Sequence, residues 1–345
     1  MSALMSALMS ALMSTRILST PPLRAARWLV AACALAGASL GAHAQGALGL
    51  ANYRLAGNYA LDTLGGMGLE ASAVTYARDR GSLFFVGDEG LGVVEVSLTG
   101  RTLGSMRFSG WPAASKNHDA EGLTYLGNGV LVVTEERLQD AYRFSYVAGG
   151  SVDLARADWA SIGPTVGNIG TEGISFDPRD GSFVSVKQDN PQAVLGGRLD
   201  FAPGGGTSTM APLFDADAKL GLASLSDVQT LAPVDRLAGT AGADHLLILS
   251  LDSRQLIEAT RSGEVLARLD LSTLTTQAIE GVTIDEKGVI YLVAEDSGLP
   301  NSRLLVLSAV PEPGTWALLL AGVLVVGGVG RRRLHSRRDQ HPEQS

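Results

Sequence analysis

Short apolar runs and polar clusters alternate along residues 65–308 in a pattern that comes round five times. Each round opens with an acidic residue and a strand of mixed apolar and small polar residues. The five openings are Glu70-Ala-Ser-Ala-Val-Thr-Tyr, Glu121-Gly-Leu-Thr-Tyr, Glu172-Gly-Ile-Ser-Phe, Asp227-Val-Gln-Thr-Leu and Glu280-Gly-Val-Thr-Ile. Their acids are 51, 51, 55 and 53 residues apart. Turn residues that tolerate a left-handed backbone follow, as in Asp79-Arg80-Gly81, Gly127-Asn128-Gly129, Asp180-Gly181 and Lys287-Gly288. The next run is almost wholly apolar, at 82–86, 130–134, 182–186, 245–250 and 289–294, which suits a strand covered on both faces. Third strands are expected at 93–96, 141–144, 197–201, 255–259 and 303–307, and fourth strands at 100–108 and 263–271. Short strands repeating at roughly 40–50 residues predict an all-β, five-bladed β-propeller, with six blades as the alternative count.

The last round has no fourth strand of its own. Residues 53–61 carry the fourth-strand pattern yet precede the first round, so they are expected to complete the final blade and hide its open edge. Residues 203–209 and 233–244, rich in Gly and Ala or Thr, read as loops.

The domain expected over 45–309 is flanked by two segments of another kind. Arg16, Arg24 and Arg27 precede an apolar run from Trp28 to Leu40, closed by Ala42-His43-Ala44, which reads as a secretory signal over 1–44. A lipobox ending at Cys33 is the rival reading of the same segment. At the other end, over 310–345, Pro311-Glu312-Pro313 is followed by an apolar stretch from Trp316 to Gly330 and by Arg331-Arg332-Arg333. Fifteen apolar residues are fewer than the roughly 20 that span a bilayer comfortably, and the arginines would sit on the cytoplasmic side. The order of these three parts resembles the PEP-CTERM sorting signal. That resemblance implies transient inner-membrane anchoring by the C-terminal helix, recognition by an exosortase-type sorting enzyme, and delivery to the cell surface or matrix of a Gram-negative bacterium.

The single cysteine, Cys33, lies in the signal, so no disulfide can brace the expected domain. Without the two ends, which hold eight arginines and three acids, 19 basic residues face 32 acidic ones, a balance of −13. Such a surface speaks against nucleic acid as a partner and suits cations.

Glu70-Ala-Ser-Ala-Val-Thr-Tyr before Phe85-Val86-Gly87-Asp88-Glu89-Gly90, then Glu121-Gly-Leu-Thr-Tyr before Thr134-Glu135-Glu136-Arg137, resembles the SdiA-regulated family of YjiK-like proteins. The segments Thr171 to Pro178 and Ser224 to Gln229 fall in the expected later positions. The resemblance implies a five-bladed propeller related to NHL repeats and calcium at a shared site. Asp227 stands where the other rounds carry Glu, and Lys187 where they place an acid.

One acid per inner strand gives a ring around the channel: Glu70, Glu121, Glu172, Asp227 and Glu280. Like charges held that close need protons, basic partners or a metal, and hard oxygen ligands are what Ca²⁺ takes. The competing reading has each acid accept backbone N–H bonds and order its blade. A second tier, Asp88, Glu135, Lys187, Asp252 and Glu295, either lines the same channel or occupies solvated turns, with Lys187 pairing with Glu172 or a neighbour. No catalytic group is assigned: only His118 and His245 lie in the domain, and Gly-x-Ser-x-Gly and His-Glu-x-x-His are absent. Asn117-His118-Asp119 is the nearest thing to a catalytic cluster. The expected protein is therefore an exported binding or structural propeller with a calcium site, whose partner is extracellular polysaccharide or another matrix component. A calcium-dependent hydrolase, phytase-like or esterase-like, is the alternative.

Overall fold

The computed structural model describes residues 46–310. The signal segment with Cys33, the Pro311-Glu312-Pro313 motif, and the apolar and arginine-rich segments after it lie outside the described residues. Among the described residues no helix is long and apolar enough to cross a membrane.

Five four-stranded antiparallel units form the body of the protein. Blade one is Ala71–Ala77, Ser82–Gly87, Gly92–Val96 and Thr102–Gly110, from the inner strand outward. Blade two is Ala120–Gly127, Val130–Glu135, Asp140–Ser145 and Asp158–Ser161. Blade three is Thr171–Asp177, Ser182–Lys187, Ala193–Gly197 and Ala211–Asp215, and blade four is Asp227–Thr230, Leu246–Ser250, Gln255–Ala259 and Val265–Asp270. Blade five takes Ile279–Ile284, Ile290–Ala294 and Arg303–Ala309 from the end of the domain and Tyr53–Ala60 from its start. The closure expected from the pattern of residues 53–61 is thus present, with Tyr53 opposite Ala309 and Ala60 opposite Arg303. A further short strand, Ser151–Asp153, leaves blade two and runs parallel to the outer strand of blade one, covering part of its edge.

Side chains of the second strands alternate between two neighbours, which is why those runs are apolar throughout. Phe84 and Val86 pack with Leu123, Val133 and Tyr142 of blade two, while Leu83 and Phe85 pack with Tyr291 and Val293 of blade five. In the same way Leu247 and Leu249 face blade five, and Leu246 and Ile248 face Val184 and Val186 of blade three. Five apolar clusters therefore fill five blade interfaces. The sheet twist that fans the blades leaves no single central core.

A belt of hydrogen bonds joins the inner strands around the channel. Thr75 Oγ1 accepts from Tyr125 N at 3.1 Å, Thr124 Oγ1 from Phe176 N at 2.9 Å, and Ser175 Oγ from Thr230 N at 3.0 Å. Gln229 Oε1 then accepts from Thr283 Oγ1 at 2.9 Å, and Thr283 Oγ1 from Tyr76 N at 3.1 Å, which closes the circle. A hydroxyl at this position, Thr75, Thr124, Ser175 or Thr283, is thus what four of the five rounds preserve. Blade four substitutes the longer Gln229.

Two expectations need correction. The third strand of blade three is Ala193–Gly197 and not 197–201, since the chain leaves the sheet after Gly197 into a hairpin of Leu199–Asp200 and Thr207–Ser208. A Cβ on Gly197 would stand 2.5 Å from Thr209 O, so only glycine permits that exit. Residues 203–209 therefore contain a hairpin arm as well as a loop, whereas 233–244 is a loop with two short 3-10 turns.

Candidate functional site

The inner strands of blades one, two, three and five carry a β-bulge near their start, and the bulge decides which side chains reach the channel. Ladder pairing skips one residue between Ala71 and Ala73, Ala120 and Gly122, Thr171 and Gly173, and Ile279 and Gly281. The skipped residues are Ser72, Glu121, Glu172 and Glu280, and the corresponding residue of blade four is Ser226, one before Asp227. A bulge of this kind re-aims a side chain out of the pleat. Small residues follow it because neighbouring strands nearly touch there: a Cβ on Gly173 would lie 2.7 Å from Asp227 Cα, and one on Gly281 2.9 Å from Ala73 Cα.

Three of the five expected ring acids, Glu121, Glu172 and Glu280, line one cavity of about 160 Å³ at this mouth, together with Asp88, Glu136 and Glu295. Asn168, Gln188, Ser224 and Ser226 add neutral oxygen-bearing groups to the lining, and no basic side chain is among them. Burial is the first cause that raises the carboxyls. Glu280 is pushed from 4.5 to about 8, with Glu295, Asp88 and Glu70 adding repulsion. Asp88 rises to about 6, by burial and then by Asp119 and Glu89. Glu121 and Glu172 lie well above the usual carboxylate range, Glu121 through burial and Glu280, Glu172 through burial and Glu121. Glu136 adds to the rise of Glu172, and is itself raised by burial. Ser226 Oγ is buried and has no hydrogen-bond partner among the described residues.

Asp227 and Glu70 stand apart from this group. Asp227 is 3 % exposed, and its carboxylate accepts from Val228 N and Val282 N, both at 2.7 Å. It follows Ser226 and ties blade four to blade five, which is the blade-ordering role. Glu70 precedes its bulge by two residues, with φ 47°, and sits near enough to Glu280 to repel it without lining the cavity.

The second tier divides in the same way. Asp88 and Glu295 line the cavity. Glu135 is buried in its own turn, accepting from Ser115 Oγ and Leu138 N at 2.6 Å each, and the neighbouring Glu136 takes the cavity position. Lys187 does not pair with Glu172, because its ammonium donates to the carbonyls of Asp189 and Pro191. Asp252 is exposed on its turn. His118 stacks on Trp111, ring centroids 5.6 Å apart, and takes no part in the cavity. His245 is paired with buried Glu258 at 2.8 Å, which also accepts from Leu48 N and so pins the start of the domain to blade four. Among the described residues, no three His, Cys, Asp or Glu side chains are drawn together as a metal centre in this arrangement.

Glu136, Asn168, Gln188, Ser224 and Ser226 were missed in the sequence. The signal that finds Ser226 is alignment of the rounds on the belt residues Thr75, Thr124, Ser175, Gln229 and Thr283 instead of on the acid. That alignment places Ser72, Glu121, Glu172, Ser226 and Glu280 in register.

The family model described as SdiA-regulated matches residues 47–301, and the PEP-CTERM protein-sorting motif matches residues 309–333. Among solved structures, the chain is similar to a catalytically inactive virginiamycin B lyase from Staphylococcus aureus, crystallised with quinupristin. That match has 12% identity and a TM-score of 0.37, covering 70% of this chain and 66% of the lyase. The WD40 β-propeller domain of Doa1 matches at 12% identity and a TM-score of 0.41, covering 74% of this chain and 96% of that one.

Proposed function

The chain belongs to the SdiA-regulated family and carries a PEP-CTERM sorting motif, and from that premise we propose that it is an exported, cation-binding propeller of the cell surface or matrix. The motif marks it for an exosortase-type enzyme and for export through a Gram-negative envelope. Its proposed work there is to bind or organise an extracellular partner, polysaccharide or another matrix component.

The observation that carries the cation is the lining of the channel mouth: six carboxylates, no basic group, and a buried Ser226 hydroxyl with no partner. Hard oxygen donors in that number fit Ca²⁺. Glu121, Glu172 and Glu280 would hold it from the bulges, with Asp88, Glu136 or Glu295 completing the set. The ion would supply the positive charge that protons supply in its absence, so binding should release protons. The same lining disfavours the phosphate-hydrolase alternative, because a phosphate would meet only negative charge.

The test is a thermal melt of the protein in EDTA and with Ca²⁺, beside the double variant Glu121→Gln/Glu172→Gln. Ca²⁺ at 100 times its Kd should stabilise the native protein by about 2.7 kcal/mol, and the variant should lose most of that. A melting temperature indifferent to Ca²⁺ in the native protein would remove the cation from this reading.

A further inference from the structure

A second and larger cavity, about 600 Å³, opens at the other ends of the same inner strands. The hydrogen-bond belt lies at its floor, for Thr75, Thr124, Thr283 and Gln229 all contribute to the lining. Its walls are the aromatic residues that follow the belt, Tyr76, Tyr125 and Phe176, each half-buried. At the rim stand Arg78, Asp79 and Asn128. This mouth therefore differs in chemistry from the acidic one: aromatic faces, neutral oxygens, and charges only at the edge.

Its polar groups are not all satisfied among the described residues. Thr75 and Thr124 each accept a backbone N–H from the next blade, and neither hydroxyl hydrogen has an acceptor among the described residues. Thr283 and Gln229 are satisfied by each other and by the belt. Arg78 is neutralised by Asp235 at 2.9 Å. Asp79 Oδ2 accepts from Tyr125 Oη at 3.1 Å and Asn128 N at 3.0 Å, which fixes the ring of Tyr125 against Phe84, 5.8 Å away and nearly parallel. The Asn128 carboxamide is held at the rim, on a residue with φ 53°.

We propose that this mouth binds a neutral saccharide. A sugar ring presents a flat C–H face, which suits an aromatic wall, and an edge of hydroxyl oxygens, which would accept from Thr75, Thr124 and Asn128. The cavity is within the usual range for small-ligand sites, roughly 300–1,000 Å³, and admits a short oligosaccharide. An anion would face Asp79 with Arg78 already paired, and a cation would find more negative charge at the opposite mouth. The proposal deepens the reading of the protein as an exported binding module by naming where the partner docks, but it does not depend on the cation.

Saturation-transfer NMR with maltose, cellobiose and chitobiose, on the purified protein in EDTA and again in Ca²⁺, tests it. At least one sugar should show transfer, and Tyr125→Leu or Asn128→Gly should weaken its affinity tenfold or more. Asn128→Gly retains the left-handed turn, so it serves if Tyr125→Leu melts early. Glu121→Gln/Glu172→Gln should leave sugar binding unchanged, which separates this site from the acidic mouth. No transfer from any of the three sugars, or transfer that survives both rim and wall variants, would overturn the proposal. Transfer from an apolar aromatic probe such as indole with none from the sugars would overturn it equally.

Discussion

Replacing Glu280 by glutamine removes one charge from the acidic mouth and keeps the length and shape of the side chain. In the folded protein this carboxyl titrates at about 8, against 4.5 for the ordinary group. Between those values the folded state retains a proton that the unfolded chain has released, so stability falls as pH rises through the window and levels off above it. At about 1.36 kcal/mol for each pH unit, Glu280 alone accounts for a fall of about 3.5 kcal/mol between pH 5 and pH 8. For a domain of this size that corresponds to about 10 °C in melting temperature. The assay is a set of thermal melts in EDTA at pH 5, 6.5 and 8 for native protein and Glu280→Gln. The two should melt together at pH 5, and the variant should melt higher at pH 8. Part of that gain should come through Glu121, for which Glu280 is the leading repulsive neighbour. Parallel curves across the three pH values would refute the reasoning, since they would mean that Glu280 ionises in the folded state as it does in water.

Asp227→Ala should destabilise the protein by about 2 kcal/mol in a denaturant titration, because the buried Val228 N and Val282 N lose their carboxyl acceptor. It should leave the Ca²⁺-dependent shift intact, as Asp227 does not line the cavity. Deleting residues 46–60 removes the outer strand of blade five and exposes the edge of Arg303–Ala309. Size-exclusion chromatography should then show association or aggregation beyond that of the native protein.

The strands were legible because their apolar runs serve two interfaces at once. Leu246 to Leu249 could hardly be anything but a strand between two neighbours, and the third strand Gln255–Ala259 is found where it was expected. Blade three's third strand was obscure, since Gly196 and Gly197 give no apolar signal and Phe201 supplies one in the hairpin beyond, where it packs on Phe183. The site was half legible. The period of the acids led to Glu121, Glu172 and Glu280. It also swept in Glu70, two residues before the bulge at Ser72, and Asp227, one residue after Ser226. A bulge is a matter of pairing register, and spacing read along one chain does not show it. Glu136 was concealed by Glu135: two adjacent acids point to opposite sides of a strand end, and only the turn bonded to Glu135 says which of them faces the channel.

The strand borrowed from the start of the domain also sets the timing of folding. Tyr53 emerges early and waits for Ala309, about 250 residues later, so the ring has among the longest-range contacts its length allows and should close slowly. Until Arg303–Ala309 follows it, Tyr53–Ala60 has no strand to pair with. The last rung, Val310 N to Asn52 O, forms one residue before the Pro311-Glu312-Pro313 motif. Completion of the ring and delivery of the sorting motif are thus nearly simultaneous events. On the proposed route, a cut at that motif would fall directly after the strand that closes the ring.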